Sequence, residues 1–254
     1  MMLLDPSLIQ IDQEALNKID NDARSIFRQI TFCKKTSSKK LLDAFIKSTN
    51  CLTELLSIKN AQMEAETEDD LKIYERNLNK TILYVVNEIK NGHPFEKQIQ
   101  LFQLFRLISP ESHEIHPNRY RNTVVQIGSH LCPEPERINS LIDQLFYNME
   151  NISHPLIKAI YFHHELIRVH PFIDGNGRIT RIAKNWILMY NLYPPIFVKN
   201  EVEKSEYISA LHYSFKAIAE NGSTWSIAID NFFQQELNRV KSSIQYVLDE
   251  IAKG

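Results

Sequence analysis

With 254 residues, 43% apolar and 24% charged, the chain is long enough for one large core and ordinary in composition for a globular protein. Its 29 lysines and arginines stand against 31 acids, so no long-range field draws in nucleic acid or an acidic membrane, and any phosphate-binding charge must be local. Three cysteines, Cys33, Cys51 and Cys132, lack paired spacing, which excludes a disulfide framework and a cysteine-rich zinc site. The start Met-Met-Leu-Leu-Asp-Pro has neither the basic nor the apolar region of a signal peptide, and no run is long enough to span a bilayer, so the expectation is a soluble cytoplasmic protein without membrane partners.

Apolar residues at helical spacing predict a helix from Leu8 to about Ile30. The break Lys34-Lys35-Thr36-Ser37-Ser38-Lys39-Lys40 has no interleaved aromatics and reads as a solvated turn, not a nucleic-acid patch. From Thr67, an N-cap with acids behind it, a long amphipathic helix runs through Leu71, Leu78, Ile82, Val85 and Ile89 to a stop at Asn91-Gly92. Another helix spans Phe95 to Ile108 and ends at Ser109-Pro110. The segment Tyr120 to Ile127 is β-branched and extended in character, bounded by Pro117-Asn118 and Gly128, and predicts a short hairpin or flap. Beyond Pro135 a helix carries Ile138, Leu141, Ile142, Leu145, Phe146 and Met149 inward. Helices follow from Ser153 to Val169, from near Gly177, from about Glu201 to Glu220, and from Ser226 to Ile251, the last with Phe232, Phe233, Leu237, Val240, Ile244 and Leu248 inward. The fold class is therefore all-α with one small β-hairpin flap, divided into an N-terminal helical region (1–94), a core (95–222) and a C-terminal helix packed on it (223–254).

Only six glycines occur, and two of them crowd into His170-Pro-Phe-Ile-Asp174-Gly175-Asn176-Gly177-Arg178-Ile-Thr-Arg181. A Gly-Asn-Gly turn between two helices suggests backbone amides gathered around a ligand. Arg178 and Arg181, three apart at the start of the second helix, oppose the positive end of its dipole, so an anion is the simplest reason for them. His170 is either a histidine capping the last carbonyls of its helix or a general base beside the turn. Asp174 is either an N-cap or a carboxylate for Mg²⁺, which takes one or two carboxylates and completes its shell with phosphate oxygens and water. Phe172 reads as a buried anchor for the loop. His163-His164-Glu165 followed by His170 is not a zinc-protease signature, because the last histidine comes too late.

These residues match every fixed position of His-x-Phe-x-Asp/Glu-Gly-Asn-Gly-Arg-x-x-Arg, and in this the chain resembles the Fic family over about residues 95 to 222. The resemblance implies the Fic fold and transfer of AMP from ATP to a hydroxyl side chain of a protein target, self-modification included, with Mg²⁺ as cofactor. It implies that His170 deprotonates the hydroxyl, Asp174 positions Mg²⁺, and Gly175, Asn176 and Gly177 stabilise the α-phosphate. Arg178 and Arg181 then hold the outer phosphates, and the flap residues Tyr120, Thr123, Val124 and Val125 dock an extended stretch of target. The family's inhibitory pattern, Ser/Thr-x-x-x-Glu-Gly/Asn, is closest to Asn60-Ala61-Gln62-Met63-Glu64-Ala65, which departs at both ends. Glu64 is then either an inhibitor paired with Arg181 or one member of a solvated acidic stretch. Transfer of another phosphoryl group, removal of AMP, and nucleotide sensing without turnover are the alternatives, and a homo-oligomer is left open.

Overall fold

The computed structural model describes residues 2–34, 41–222 and 224–253. Eleven α-helices and one two-stranded hairpin lie within them: α1 (Gln13–Lys34), α2 (Leu41–Ser48), α3 (Asn50–Gln62), α4 (Glu68–Lys90), α5 (Gln98–Ile108), α6 (Pro110–Ile115), β1 (Gln126–Ile127), β2 (His130–Leu131), α7 (Ile138–Glu150), α8 (Pro155–Val169), α9 (Asn176–Tyr190), α10 (Glu201–Asn221) and α11 (Ile227–Lys253). Of the basic stretch read as a solvated turn, residues 35–40 lie outside those described. Among the described residues no helix is long and apolar enough to cross a membrane.

Local chemistry sets several of these boundaries. Thr67 caps α4 by accepting from the Asp70 amide while the Asp70 carboxylate takes the Thr67 amide, a reciprocal capping box, and Gly92 turns the chain out with φ of +77°. Pro155 opens α8 where an amide has no helical partner.

The core is built around α8 and α9, the most extensively packed pair of helices. Every residue from Leu156 to Val169 except Lys158 is buried, and α9 is buried almost all round. The one-sided amphipathic pattern expected of the first of these helices is thus replaced by a central helix surrounded by protein. Its polar residues pair internally. His164 Nδ1 lies 2.7 Å from Glu165 Oε1, and Arg168 Nη2 donates to Glu165 Oε2 at 2.5 Å and to the Met2 carbonyl at 2.6 Å. The C-terminal helix α11 packs on α10, α1 and α8 with Phe232, Phe233, Leu237, Val240 and Ile244 buried and Leu248 half-buried.

The flap is shorter than the sequence suggests. Gln126 pairs with Leu131 and Ile127 with His130, with Gly128 at φ +55° in the turn. Residues 120–125 lie outside the ladder, although the Val125 carbonyl accepts from the Cys132 amide across the hairpin at 3.1 Å. Arg121 donates its amide to the Pro171 carbonyl at 2.8 Å, and the Tyr120 ring stacks on Phe102 and packs against Phe172.

Candidate active site

The loop between α8 and α9 is held in a shape that few residues adopt. His170 ends α8 with φ 51° and ψ 61°, a left-handed conformation that costs a non-glycine residue about 1–3 kcal/mol, and its amide donates to the Leu166 carbonyl at 2.9 Å. Pro171 disfavours the right-handed helix at the residue before it, and the helix stops at His170. The guanidinium of Arg121, 2% exposed, locks the arrangement. Its Nε donates to the His170 carbonyl at 2.7 Å, and its two terminal nitrogens reach the carbonyls of Thr123, Pro133 and Val169 at 2.5, 2.7 and 3.3 Å. Nothing in the sequence pattern marks Arg121 for this role.

Burial pushes the His170 imidazole down to about 4, so near neutral pH the ring is uncharged and able to take a proton. It faces a cavity of about 430 Å³ between the motif loop, the flap and α10. The flap side is lined by Ile127, Gly128 and His130, and the α10 side by Ile208, Leu211 and Phe215. This wall is mostly apolar, while the loop side is polar, which suits a ligand with a flat apolar part and a charged part.

Phe172 is 1% exposed and stacks on Phe105 at 4.5 Å between ring centroids, as its anchoring role requires. Asn176 shapes the loop: its Oδ1 accepts from the Phe172 amide and its Nδ2 donates one hydrogen to the Phe172 carbonyl, both at 2.8 Å, while the residue lines the cavity. Asp174 is not the N-cap of α9 either. That position falls to Gly175 at φ +74°, where a Cβ would strike the Ser109 hydroxyl. Asp174 instead exposes 48% of its side chain beside the cavity and accepts twice from Arg178 Nη2, at 3.1 Å each.

The anion that the start of α9 calls for is present, and it belongs to the chain itself. Glu64 lies just past the end of α3, and its Oε2 accepts from Arg178 Nε at 2.8 Å while its Oε1 accepts from Arg181 Nη2 at 2.6 Å. The carboxylate sits so close to Gly177 that a Cβ there would run into it, which is the reason for the second glycine. Glu64 is therefore not part of a solvated acidic face. Both departures from the inhibitory pattern are accommodated. Asn60 replaces a hydroxyl, yet its side-chain oxygen accepts from Arg181 Nε. Ala65 stands where glycine or asparagine would favour positive φ, and the turn here does not use that conformation. Two further residues escaped the sequence reading: Tyr74 of α4 lies flat under Arg178, 3.8 Å from guanidinium carbon to ring centroid, and Tyr207 of α10 borders Arg181. Burial works against the charge of Arg181, and the Glu64 carboxylate and Tyr207 together outweigh it, leaving the arginine pKa raised.

Among the described residues no cluster of three or more histidine, cysteine or acidic side chains forms a metal cage. Glu64 and Asp174 both line the cavity, and with Glu64 taken up by the two arginines Asp174 is the carboxylate that fits a Mg²⁺ bound chiefly through phosphate oxygens and water. Of the expected flap residues, Val124 is 54% exposed, Thr123 is exposed and Val125 half-buried. Tyr120 is held in the packing, with its hydroxyl accepting from Gln98 Nε2 at 2.8 Å.

Residues 97–188 match the Fic/DOC family. A curated relative, protein adenylyltransferase Fic from Nematostella vectensis, is 29% identical over 208 residues, which cover 76% of this chain and 49% of that protein. The chain thus spans about half the length of that relative. A Fic domain containing signaling protein from Bacteroides thetaiotaomicron superposes with a TM-score of 0.68 at 17% identity, covering 91% of this chain and 97% of its own. IbpAFic2, solved covalently tethered to Cdc42, superposes with a TM-score of 0.53 at 19% identity, over 89% and 70% of the two chains. The folds agree: a helical Fic fold with one small antiparallel hairpin.

Proposed function

We propose that this Fic/DOC family protein transfers AMP from ATP to a hydroxyl side chain of a protein target, and that Glu64 holds it in check until it withdraws from the two motif arginines. The observation that carries the reading is a carboxylate seated between Arg178 and Arg181 at the start of α9, in a cavity that also presents His170 and Asp174. A site built to hold an anion there, with an uncharged buried histidine beside it, has the parts of a phosphoryl-type transfer and more than phosphate binding alone needs.

The chemistry runs as follows from this chain's residues. Arg178 and Arg181, released from Glu64, bind the outer phosphates through paired donors. The unpaired amides at the start of α9 face the α-phosphate, where negative charge grows as the reaction proceeds. His170 accepts the proton of the target hydroxyl, the target oxygen bonds to the α-phosphorus, and the bond to the bridging oxygen breaks with pyrophosphate leaving. Asp174 would hold Mg²⁺, which when bound neutralises phosphate charge and orients the leaving group. The base rests against the apolar wall of Ile208, Leu211 and Phe215. A protein target docks along the exposed flap around Val124 to Leu131, by strand addition. The relative bound to Cdc42 supports a protein as the second substrate.

Intact-mass measurement tests this. Incubation of the Glu64→Gly chain with ATP and Mg²⁺ adds one adenylyl group to the chain or to a target in cell extract, and His170→Ala abolishes the gain. Addition of a phosphoryl group, or adducts that persist in His170→Ala, would point to the alternatives.

A further inference from the structure

Next to Arg181, the core holds polar groups that the reaction does not consume. Tyr207 of α10 is 3% exposed, and His163 of α8 and Glu236 of α11 are fully buried. Tyr207 and Arg181 line the same cavity and interact electrostatically, and the Tyr207 hydroxyl lies 2.8 Å from His163 Nε2. His163 Nδ1 faces Glu236 Oε2 at 3.5 Å, and Glu236 accepts from Lys184 Nζ at 2.5 Å and from Arg239 Nη1 at 2.6 Å. Four helices, α8 to α11, each contribute to this line.

The chemistry of its two ends fixes its direction. A guanidinium only donates, so beside Arg181 the Tyr207 oxygen offers its lone pairs and its own proton goes to His163 Nε2. The imidazole then carries its single proton on Nδ1, toward Glu236. The ring has only that one proton, since burial pushes it down to about 3. Burial also works against the charge on Glu236, yet Lys184 and Arg239 keep its carboxyl well below the usual range, so this end only accepts. The 3.5 Å step to Glu236 is long for a hydrogen bond and acts through its field more than through a bond.

Arg181 is gripped in this state by Glu64 and Asn60, both from the segment that must loosen for a nucleotide to enter. We propose that Tyr207 is a positioning residue: backed by His163 and Glu236, it keeps Arg181 aimed at the outer phosphates once Glu64 has withdrawn. This rests on the reading of the cavity as a nucleotide site. It gives the C-terminal helix, far from the motif in sequence, a direct line to nucleotide affinity.

The test is carried out in the Glu64→Gly chain, where Arg181 has lost its carboxylate, by titrating Mg²⁺-ATP and AMP separately. Tyr207→Phe removes one oxygen and is expected to weaken ATP roughly tenfold, the loss of one hydrogen bond to a charged group, while AMP, without outer phosphates, stays within about twofold. His163→Phe is expected to lose as much. His163→Gln keeps an acceptor toward Tyr207 and a donor toward Glu236, and loses less. Should Tyr207→Phe fail to fold, the two His163 variants carry the comparison. Equal losses for ATP and AMP, or no loss for ATP, would overturn the positioning role. A Glu64→Gly parent that shows no preference for ATP over AMP would overturn the nucleotide reading itself, and the proposal with it.

Discussion

Replacing Glu64 by glycine removes the one carboxylate that occupies the start of α9. Its two charge-assisted bonds, 2.8 Å to Arg178 and 2.6 Å to Arg181, must both break before phosphates can take their place. Such bonds are each worth about 1.5–3 kcal/mol in a dry site, and because 28% of the Glu64 side chain is exposed the low end applies, about 3 kcal/mol for the pair. Tyr74 still stacks on Arg178, which keeps that arginine in place. The expected outcome is a gain of up to about 150-fold in affinity for Mg²⁺-ATP. Glu64→Gln, which keeps the shape without the charge, falls between. Calorimetric titration of both variants and the unmodified chain measures this directly. Equal ATP affinity in all three, each melting cooperatively, would refute the idea that the phosphates and Glu64 compete for one place.

Three further outcomes follow from the geometry. Because burial holds His170 down to about 4, the acid limb of kcat/KM set by this base lies near pH 4, and protonation of His170 causes no loss between pH 5 and 8; an acid limb near the ordinary histidine value of about 6.5 would show that the base is not buried as described. Arg121→Ala leaves four carbonyls without their donor, two of them in fully buried bonds, and frees the left-handed backbone at His170, so unfolding in urea should reveal a loss of about 3–5 kcal/mol, and a stability within 1 kcal/mol of the unmodified chain would refute the clamp. Gly175→Ala puts a Cβ against the Ser109 hydroxyl at positive φ and is expected to cost about 1–3 kcal/mol, read as a lowered Tm; an unchanged Tm would mean the loop can relax.

Much of the site is legible in the sequence because its signals are local. The Gly-Asn-Gly turn, the two arginines three apart and the Thr67 capping box depend on neighbours a few residues away, and the structure has them where periodicity and capping chemistry predict. What escaped depends on contacts across the chain. Arg121 sits in a stretch that reads as extended, and only the fold shows its guanidinium spent on carbonyls 12 and 49 residues away. That the Asn176 side chain also closes on the Phe172 backbone shows only in the fold. His163, Lys184, Tyr207 and Glu236 are each an isolated polar residue in the sequence, and their burial makes sense only because they meet one another. The all-round burial of α8 was hidden for the same reason: its polar residues look solvent-facing until their partners arrive from the N-terminal segment, α10 and α11.

The most direct test of the account uses ATP labelled on either the α- or the γ-phosphate, incubated with Mg²⁺, cell extract, and the unmodified, Glu64→Gly or His170→Ala chain. Transfer of the α label only, stronger in Glu64→Gly and absent in His170→Ala, is the predicted result. Transfer of the γ label, or α label that survives the loss of His170, would contradict it.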